Sequence, residues 1–202
     1  WGRRVRTIDK SNTLSLRFED GHVEAGFDLV IVAVPAEQVS DIVSGLMPDF
    51  AAAAESVHSS PCWTVMAAFD EATGIAWDGA SMTGSPIGWA ARNRSKPGRA
   101  ETETWVLQAT AEWSQTHLED ERDVVAGALL SAFAEVADLP RPLYATAHRW
   151  RYSQVKVAAA SPFYFDPQYG IGVCGDWCSG PNVEDAWQSG VALSQRLLRG
   201  DK

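Results

Sequence analysis

Leu14 to Phe18, "LSLRF", alternates apolar and polar positions; "EDG" then supplies turn chemistry, and "FDLVIVAVP" runs apolar to Pro35. Alternation describes a strand with one wet face. An unbroken run from Leu29 to Val34 describes a strand covered on both faces, as at the centre of a layered α/β sheet. The pair predicts a hairpin leading into a buried strand. Beyond Pro35, the positions Val39, Ile42, Val43 and Leu46 keep helical spacing until Pro48, which predicts a short helix.

From about residue 48 the pattern changes. "CWTVMAAF" (62–69), "PIGWAAR" (86–92), "ETWVLQATAEW" (103–113) and "PLYATAHRWRY" (142–152) read as long aromatic strands separated by Gly, Pro and Ser-rich turns, predicting one mixed or antiparallel sheet. Between the last two, Thr116 and Glu119 have capping-box spacing. Val124, Val125, Ala128, Leu129, Ala132, Phe133 and Val136 then form one helical stripe. The C-terminal stretch "GIGVCGDWCSGPNVEDAWQSGVALSQRLL" (170–198) predicts a small apolar strand, an acid at its end, and a helix with Asn182 as N-cap and Asp185 three residues on. Ala186, Trp187, Gly190, Val191, Ser194, Leu197 and Leu198 make its expected packed face. A helix start beyond the carboxyl end of a strand offers free N–H groups to an electron-rich ligand edge. The whole reads as an α/β chain with α+β character.

Composition narrows the function classes. With 17 Lys and Arg against 26 Asp and Glu, a net charge of −9 opposes nucleic acid and anionic membrane surfaces. No window of 18 apolar residues and no secretory leader pattern occur, so a soluble, cytoplasmic protein is expected. Cys62, Cys174 and Cys178 are an odd count without a disulfide framework and read as reduced thiols. They and the four histidines lack zinc-site spacing, and there is no GxSxG elbow for a serine nucleophile.

Taken singly, Asn182 with Asp185 is an ordinary helix start, Asp176 a turn acid, and Trp63, Trp89, Trp105, Trp113 and Trp150 core residues. Their arrangement carries more. "FDLVIVAVPAEQV", "RNRSKPGR", "TWVLQATAEWS", "HRWRYS" and "GVCGDWCSGPNVEDAWQSGVALSQRLL", in this order, resemble the middle and C-terminal portion of the bacterial renalase-like branch of the flavin-containing amine oxidase superfamily. "HRWRY" and "CGDW" are the most specific of these strings.

The resemblance implies FAD held by a Rossmann-like layer, of which residues 1–47 and 170–202 are the remainder, and a substrate domain over 48–169 with a large sheet. It places Asp176 at the ribityl or pyrophosphate region and the N–H groups of Val183 and Glu184 at N1 and the C2 carbonyl of the flavin. Val5 would lie beside adenine and Pro35 at a turn next to the cofactor. It implies oxidation of isomeric dihydronicotinamide dinucleotides, dihydro-NAD(P), with electrons passed to oxygen. Little acid–base apparatus is then needed and no catalytic side chain is expected. Trp150 and Tyr152 are the candidate aromatic walls, with His148 and Arg92 as polar or phosphate-facing contacts. Strand alternation sets His148, Trp150 and Tyr152 on one face and Arg149 and Arg151 on the other, leaving open whether the first face meets a pocket or the core.

The sequence also departs from the family. Its opening strand, GxGxxG turn and helix, which cradle the pyrophosphate, are not in these 202 residues. The chain is therefore expected to be a portion of a longer enzyme, to bind FAD weakly or not at all by itself, and to expose apolar sheet surface suited to self-association. Two alternatives stand beside this reading: a flavin amine oxidase, and a non-catalytic binding or assembly module that has lost the cofactor.

Overall fold

The computed structural model describes residues 2–199. In chain order the strands are β1 (Val5–Lys10), β2 (Leu14–Phe18), β3 (Val23–Phe27), β4 (Val30–Val32), β5 (His58–Phe69), β6 (Gly79–Ser81), β7 (Ile87–Arg92), β8 (Glu103–Ala109), β9 (Pro142–Val157), β10 (Tyr164–Asp166) and β11 (Ile171–Val173). The helices are α1 (Ala36–Val43), α2 (Pro48–Glu55), α3 (Ala111–Thr116), α4 (Arg122–Ala134) and α5 (Val183–Arg199). This is the mixed α/β architecture that the sequence pattern predicts. Contacts divide it into two compact units, the first formed by residues up to Ser59 and from Gln154 onward, the second by Ser60–Ser153. The divisions at 59/60 and 153/154 differ from the expected 47/48 and 169/170, because Ala51, Ala54, Val57 and Val155 all pack into the core of the first unit.

In the first unit, β1, β2 and β3 form an antiparallel sheet. The alternation of "LSLRF" does its work here, Leu14 and Phe18 being buried. Its hairpin partner is β3, reached through Gly21 at φ 83°. The second sheet has the order β10-β11-β4, with β4 parallel to β11. Here one expectation fails. Val30 and Val32 are buried, but Leu29 and Ile31 are exposed, Ile31 at 49%. The reason is position: β4 is an edge strand, and α5 covers its neighbour instead. A Cβ on Gly172 would meet Leu193 of α5 at 3.1 Å, so the missing side chain is what lets that helix lie close.

The packed face of α5 also differs from the expected one. Ser189 and Leu193 are buried, whereas Trp187 and Leu198 are exposed at 66% and 87%. Both stripes are partly apolar, so periodicity cannot tell which faces the sheet. Helix α2, with Pro48 at its first turn and a run of four alanines, is an element the strand-minded reading of residues 48 onward passed over.

The second unit is a five-stranded sheet of order β6-β7-β8-β5-β9. Trp63, Val65, Phe69, Trp105 and Leu107 on one face pack against Val125, Leu129 and Phe133 of α4. The buried stripe of α4 is Val125, Ala126, Leu129, Ala132 and Phe133; Val124 and Val136 are exposed. Strand β8 stops at Ala109 rather than Trp113, because the Thr110 hydroxyl accepts from the Trp113 N–H at 3.2 Å and caps α3. The expected Thr116–Glu119 capping box is not formed. Thr116 ends α3 and donates to the Glu112 carbonyl, α4 begins after Glu121, and Glu119 pairs with arginines of β9. Among the described residues no helix is long and apolar enough to cross a membrane.

Candidate functional site

The parallel strands β4 and β11 end together, the Cys174 N–H donating to the Val32 carbonyl at 3.1 Å. Parallel neighbours release their chains at the same edge, so the turns at Pro35 and Asp176 are brought to one side of the sheet, where α/β folds place ligands. Trp177 fastens the two: its indole N–H donates to the Val34 carbonyl at 3.1 Å and its own carbonyl accepts from Ala159. Asp176 opens a short 3-10 turn through Cys178. Its Oδ1 accepts from the Trp177 N–H at 2.8 Å, and its backbone carbonyl accepts from Ser179 and Gly180. The half-buried carboxylate thus builds its own turn and keeps Oδ2 without a hydrogen-bond partner among the described residues.

Helix α5 starts at the same edge. Asp185 reaches back to accept from both the backbone N–H and the side-chain amide of Asn182, each at 2.9 Å, while the Asn182 carbonyl accepts from Asp185 and Ala186. Asn182 is therefore at the helix start as expected, but its side chain donates to Asp185 instead of accepting from the helix. The N–H groups of Val183 and Glu184 have no acceptor among the described residues, and Val183 is 91% exposed. They are two free donors at the positive end of a 17-residue helix. Glu184 and Asp185 in the first turn oppose a fully charged anion there. The arrangement suits a neutral, carbonyl-bearing edge, and such an edge is what the pyrimidine ring of a flavin presents. Val5 lies elsewhere in the first unit, at the start of β1, in a cleft of about 560 Å³ lined by Arg4, Val5, Arg6, Thr7, Glu19 and Asp41.

In the second unit, the other face of the sheet is open. Ala147 packs with the α4 core, the Arg149 guanidinium lies 5.5 Å over Trp63, and Arg149 and Arg151 both grip Glu119, the latter with two bonds of 2.7 and 2.8 Å. This fixes which way β9 faces. His148 and Trp150 project to the opposite side, their rings edge to face at 4.3 Å, with Trp150 half exposed and Tyr152 exposed beside it by alternation. Trp150 is thus surface, not core. Met66 of β5 is exposed too and alternates with buried Val65 and Ala67, and Trp89 of β7 is exposed beyond the register shift that follows buried Ile87. The sequence reading missed these two as wall residues; period 2 is the signal that finds Met66, while the irregular register after Ile87 hides Trp89 from it.

Arg92 sits differently from the expected phosphate contact. Its side chain is mostly buried over the Trp105 ring and donates to Glu103 at 3.3 Å, to Asp78 at 2.8 Å and to the Ile75 carbonyl. Glu103 also accepts from the Thr73 hydroxyl at 2.7 Å and the Trp105 indole at 2.9 Å, and its Oε2 pairs with Arg94 Nε at 2.8 Å. Burial pushes the Glu103 carboxyl up. The bonds from Thr73 and Trp105 and the two guanidinium charges outweigh that and hold it below the usual carboxylate range. These groups form a structural knot pinning the 70–78 loop.

All three cysteines are free, and burial pushes the Cys178 thiol up to about 12, so it is not a ready nucleophile. Among the described residues no cluster of three or more His, Cys, Asp or Glu is placed to hold a metal ion.

Comparison with known proteins puts these features in context. A family model described as "Flavin containing amine oxidoreductase" matches residues 1–198. Similar solved structures include a protein named as a candidate protoporphyrinogen oxidase from Exiguobacterium sp. 255-15, with a TM-score of 0.72 at 16% identity over 98% of this chain and 47% of that one. A single and a triple variant from a redesign of cofactor binding in putrescine oxidase match with TM-scores of 0.64 and 0.67 at 15% and 13% identity, over 96% and 98% of this chain and 47% and 49% of theirs. The chain spans about half the length of these structures.

Proposed function

The chain belongs to the flavin containing amine oxidoreductase family, and from that premise we propose that it is the C-terminal portion of an FAD-dependent oxidoreductase of the renalase-like branch. Its substrate is an isomeric dihydro-NAD(P), and oxygen is the final acceptor. The observation that carries the proposal is the pair of unsatisfied N–H donors at Val183 and Glu184, beside Asp176 and Pro35 at the carboxyl edge of a parallel strand pair. FAD, when bound, would supply the hydride acceptor, with oxygen taking the electrons from it. The first unit contributes donors to the pyrimidine edge through α5, with Asp176 and Pro35 flanking. Val5 and its cleft take the adenine end.

On the second unit, Trp150 and Tyr152 supply flat apolar surface for a dihydronicotinamide ring, and His148 supplies a hydrogen-bonding group beside it. Arg92 is assigned to holding the 70–78 loop, not to substrate. Aromatic walls also attract cations, and putrescine oxidase is among the similar structures, which favours an amine as the second reading. Anaerobic addition of dihydro-NAD(P) isomers and of amines to the FAD-loaded longer enzyme that this chain is proposed to be part of separates them. Bleaching of the flavin by the dinucleotide alone is expected, bleaching by amines alone transfers the assignment to amine oxidation, and bleaching by neither contradicts both.

Val30 and Val32 direct their paired backbone groups at β11, so Ile31 turns its own to the open edge. With Leu29 and Ile31 on that edge exposed, we propose that this chain self-associates through it. Sedimentation at rising concentration should show a dimer that Ile31→Lys weakens; a monomer throughout contradicts it.

A further inference from the structure

Ser189 is a fully buried polar residue on the second turn of α5, and the functional reading above gives it no role. Its hydroxyl donates to the Pro162 carbonyl at 2.6 Å and accepts from the Gly175 N–H at 3.0 Å. The Cys178 thiol lies within hydrogen-bonding reach of the same oxygen. One hydroxyl therefore joins the segment after β9, the residue immediately before Asp176, and the far end of the 3-10 turn that Asp176 opens.

Gly175 itself has no room for adjustment. A Cβ there would stand 2.7 Å from the Trp177 ring, so its backbone is pressed against the indole that also ties down Val34. The Asp176 turn is thus held from two sides, by Trp177 toward β4 and by Ser189 toward α5. The free donors of Val183 and Glu184 lie six and five residues back along the same rigid helix.

We propose that Ser189 is a positioning residue that fixes the angle between the Asp176 turn and the start of α5, so that the carboxylate and the two free N–H groups present one preset edge. The inference rests on the proposed cofactor site but is tested apart from it. An alanine at this position leaves the half-buried Gly175 N–H without an acceptor, a local cost of about tenfold in the opening equilibrium for one lost hydrogen bond. A threonine keeps the oxygen.

The experiment is amide hydrogen exchange in the 202-residue chain, comparing Gly175 with Leu193, which is buried on the same helix and whose N–H bonds to the Ser189 main-chain carbonyl rather than to the hydroxyl. Ser189→Ala is expected to speed Gly175 exchange by about tenfold more than Leu193 exchange. Ser189→Thr should restore the ratio. Equal acceleration at both amides means that Ser189 only packs the helix, which overturns the proposal. If Ser189→Thr disturbs the buried site by its extra methyl, Ser189→Cys, near in volume and a poor acceptor, must behave as alanine does; wild-type exchange at Gly175 in that variant also overturns it. Perturbation of flavin fluorescence on titration with wild type and Ser189→Ala is the second readout. Failure of wild type to perturb flavin counts against the cofactor reading, while the Gly175 to Leu193 ratio still decides the clamp.

Discussion

Glu103→Ala is expected to destabilise the second unit by about 3–5 kcal/mol, the range for breaking a buried ion pair from one side. The magnitude follows from what is left behind. The Arg92 guanidinium, with a side chain only 12% exposed, would keep its charge and lose its buried partner, Arg94 would lose its ion pair, and Thr73 and the Trp105 indole would lose an acceptor together. The partially exposed Asp78 remains and offsets a fraction. Thermal melting followed by tryptophan fluorescence, with Trp77 and Trp105 in edge contact at 5.1 Å beside the knot, reads the loss directly.

The same carboxylate sets an acid limit. Its folded value is depressed relative to the unfolded one of about 4.3, so its contribution is complete above that value and is lost as the pH falls through the lower folded one. The wild-type melting temperature should fall more steeply than that of Glu103→Gln as the pH drops below about 4.3. Parallel slopes for the two proteins would remove Glu103 from the account.

Trp177→Ala is the second large effect, expected to cost about 3–5 kcal/mol through loss of a buried indole. The local consequence matters more. Without the indole N–H the Val34 carbonyl loses its donor, and without the ring the face toward Tyr164, stacked at 6.0 Å, is empty. The turns at Pro35 and Asp176 would no longer be fastened to each other. Trp177→Phe keeps much of the volume and loses the N–H, so it should retain most of the stability yet loosen the Cys174 amide, which bonds to Val32, in hydrogen exchange. If the phenylalanine variant protects that amide as wild type does, the indole bond is not what joins the two strand ends.

The identity of β5 was legible because one face packs on α4, which writes period 2 into "CWTVMAAF" through Trp63, Val65, Ala67 and Phe69; in "IGWAAR" a register shift between Ile87 and Trp89 breaks that period. The start of α5 was legible from Asn182 and Asp185, although the roles within the cap are exchanged. Three features were not readable, each for a physical reason. A run such as Leu29–Val34 reports apolarity but not whether a helix lies over it to bury Ile31; α5 lies over Gly172 of the neighbouring β11 instead. An amphipathic helix with two apolar stripes gives no sign of which one meets Gly172. An arginine in an aromatic strand looks like a ligand contact until the distant Glu103 and Asp78 are seen to hold it. The facing of His148, Trp150 and Tyr152 depended on Glu119, thirty or so residues away in sequence, gripping Arg149 and Arg151.

The most direct measurement is the shift of backbone amide resonances in the isotope-labelled chain as FAD is added. The amides of Val183 and Glu184 are expected to move first and together, with the Gly175 and Trp177 amides beside Asp176 following. Shifts confined to other residues, or still amides at Val183 and Glu184 while flavin signals show binding, would contradict the assignment of this helix start to the cofactor.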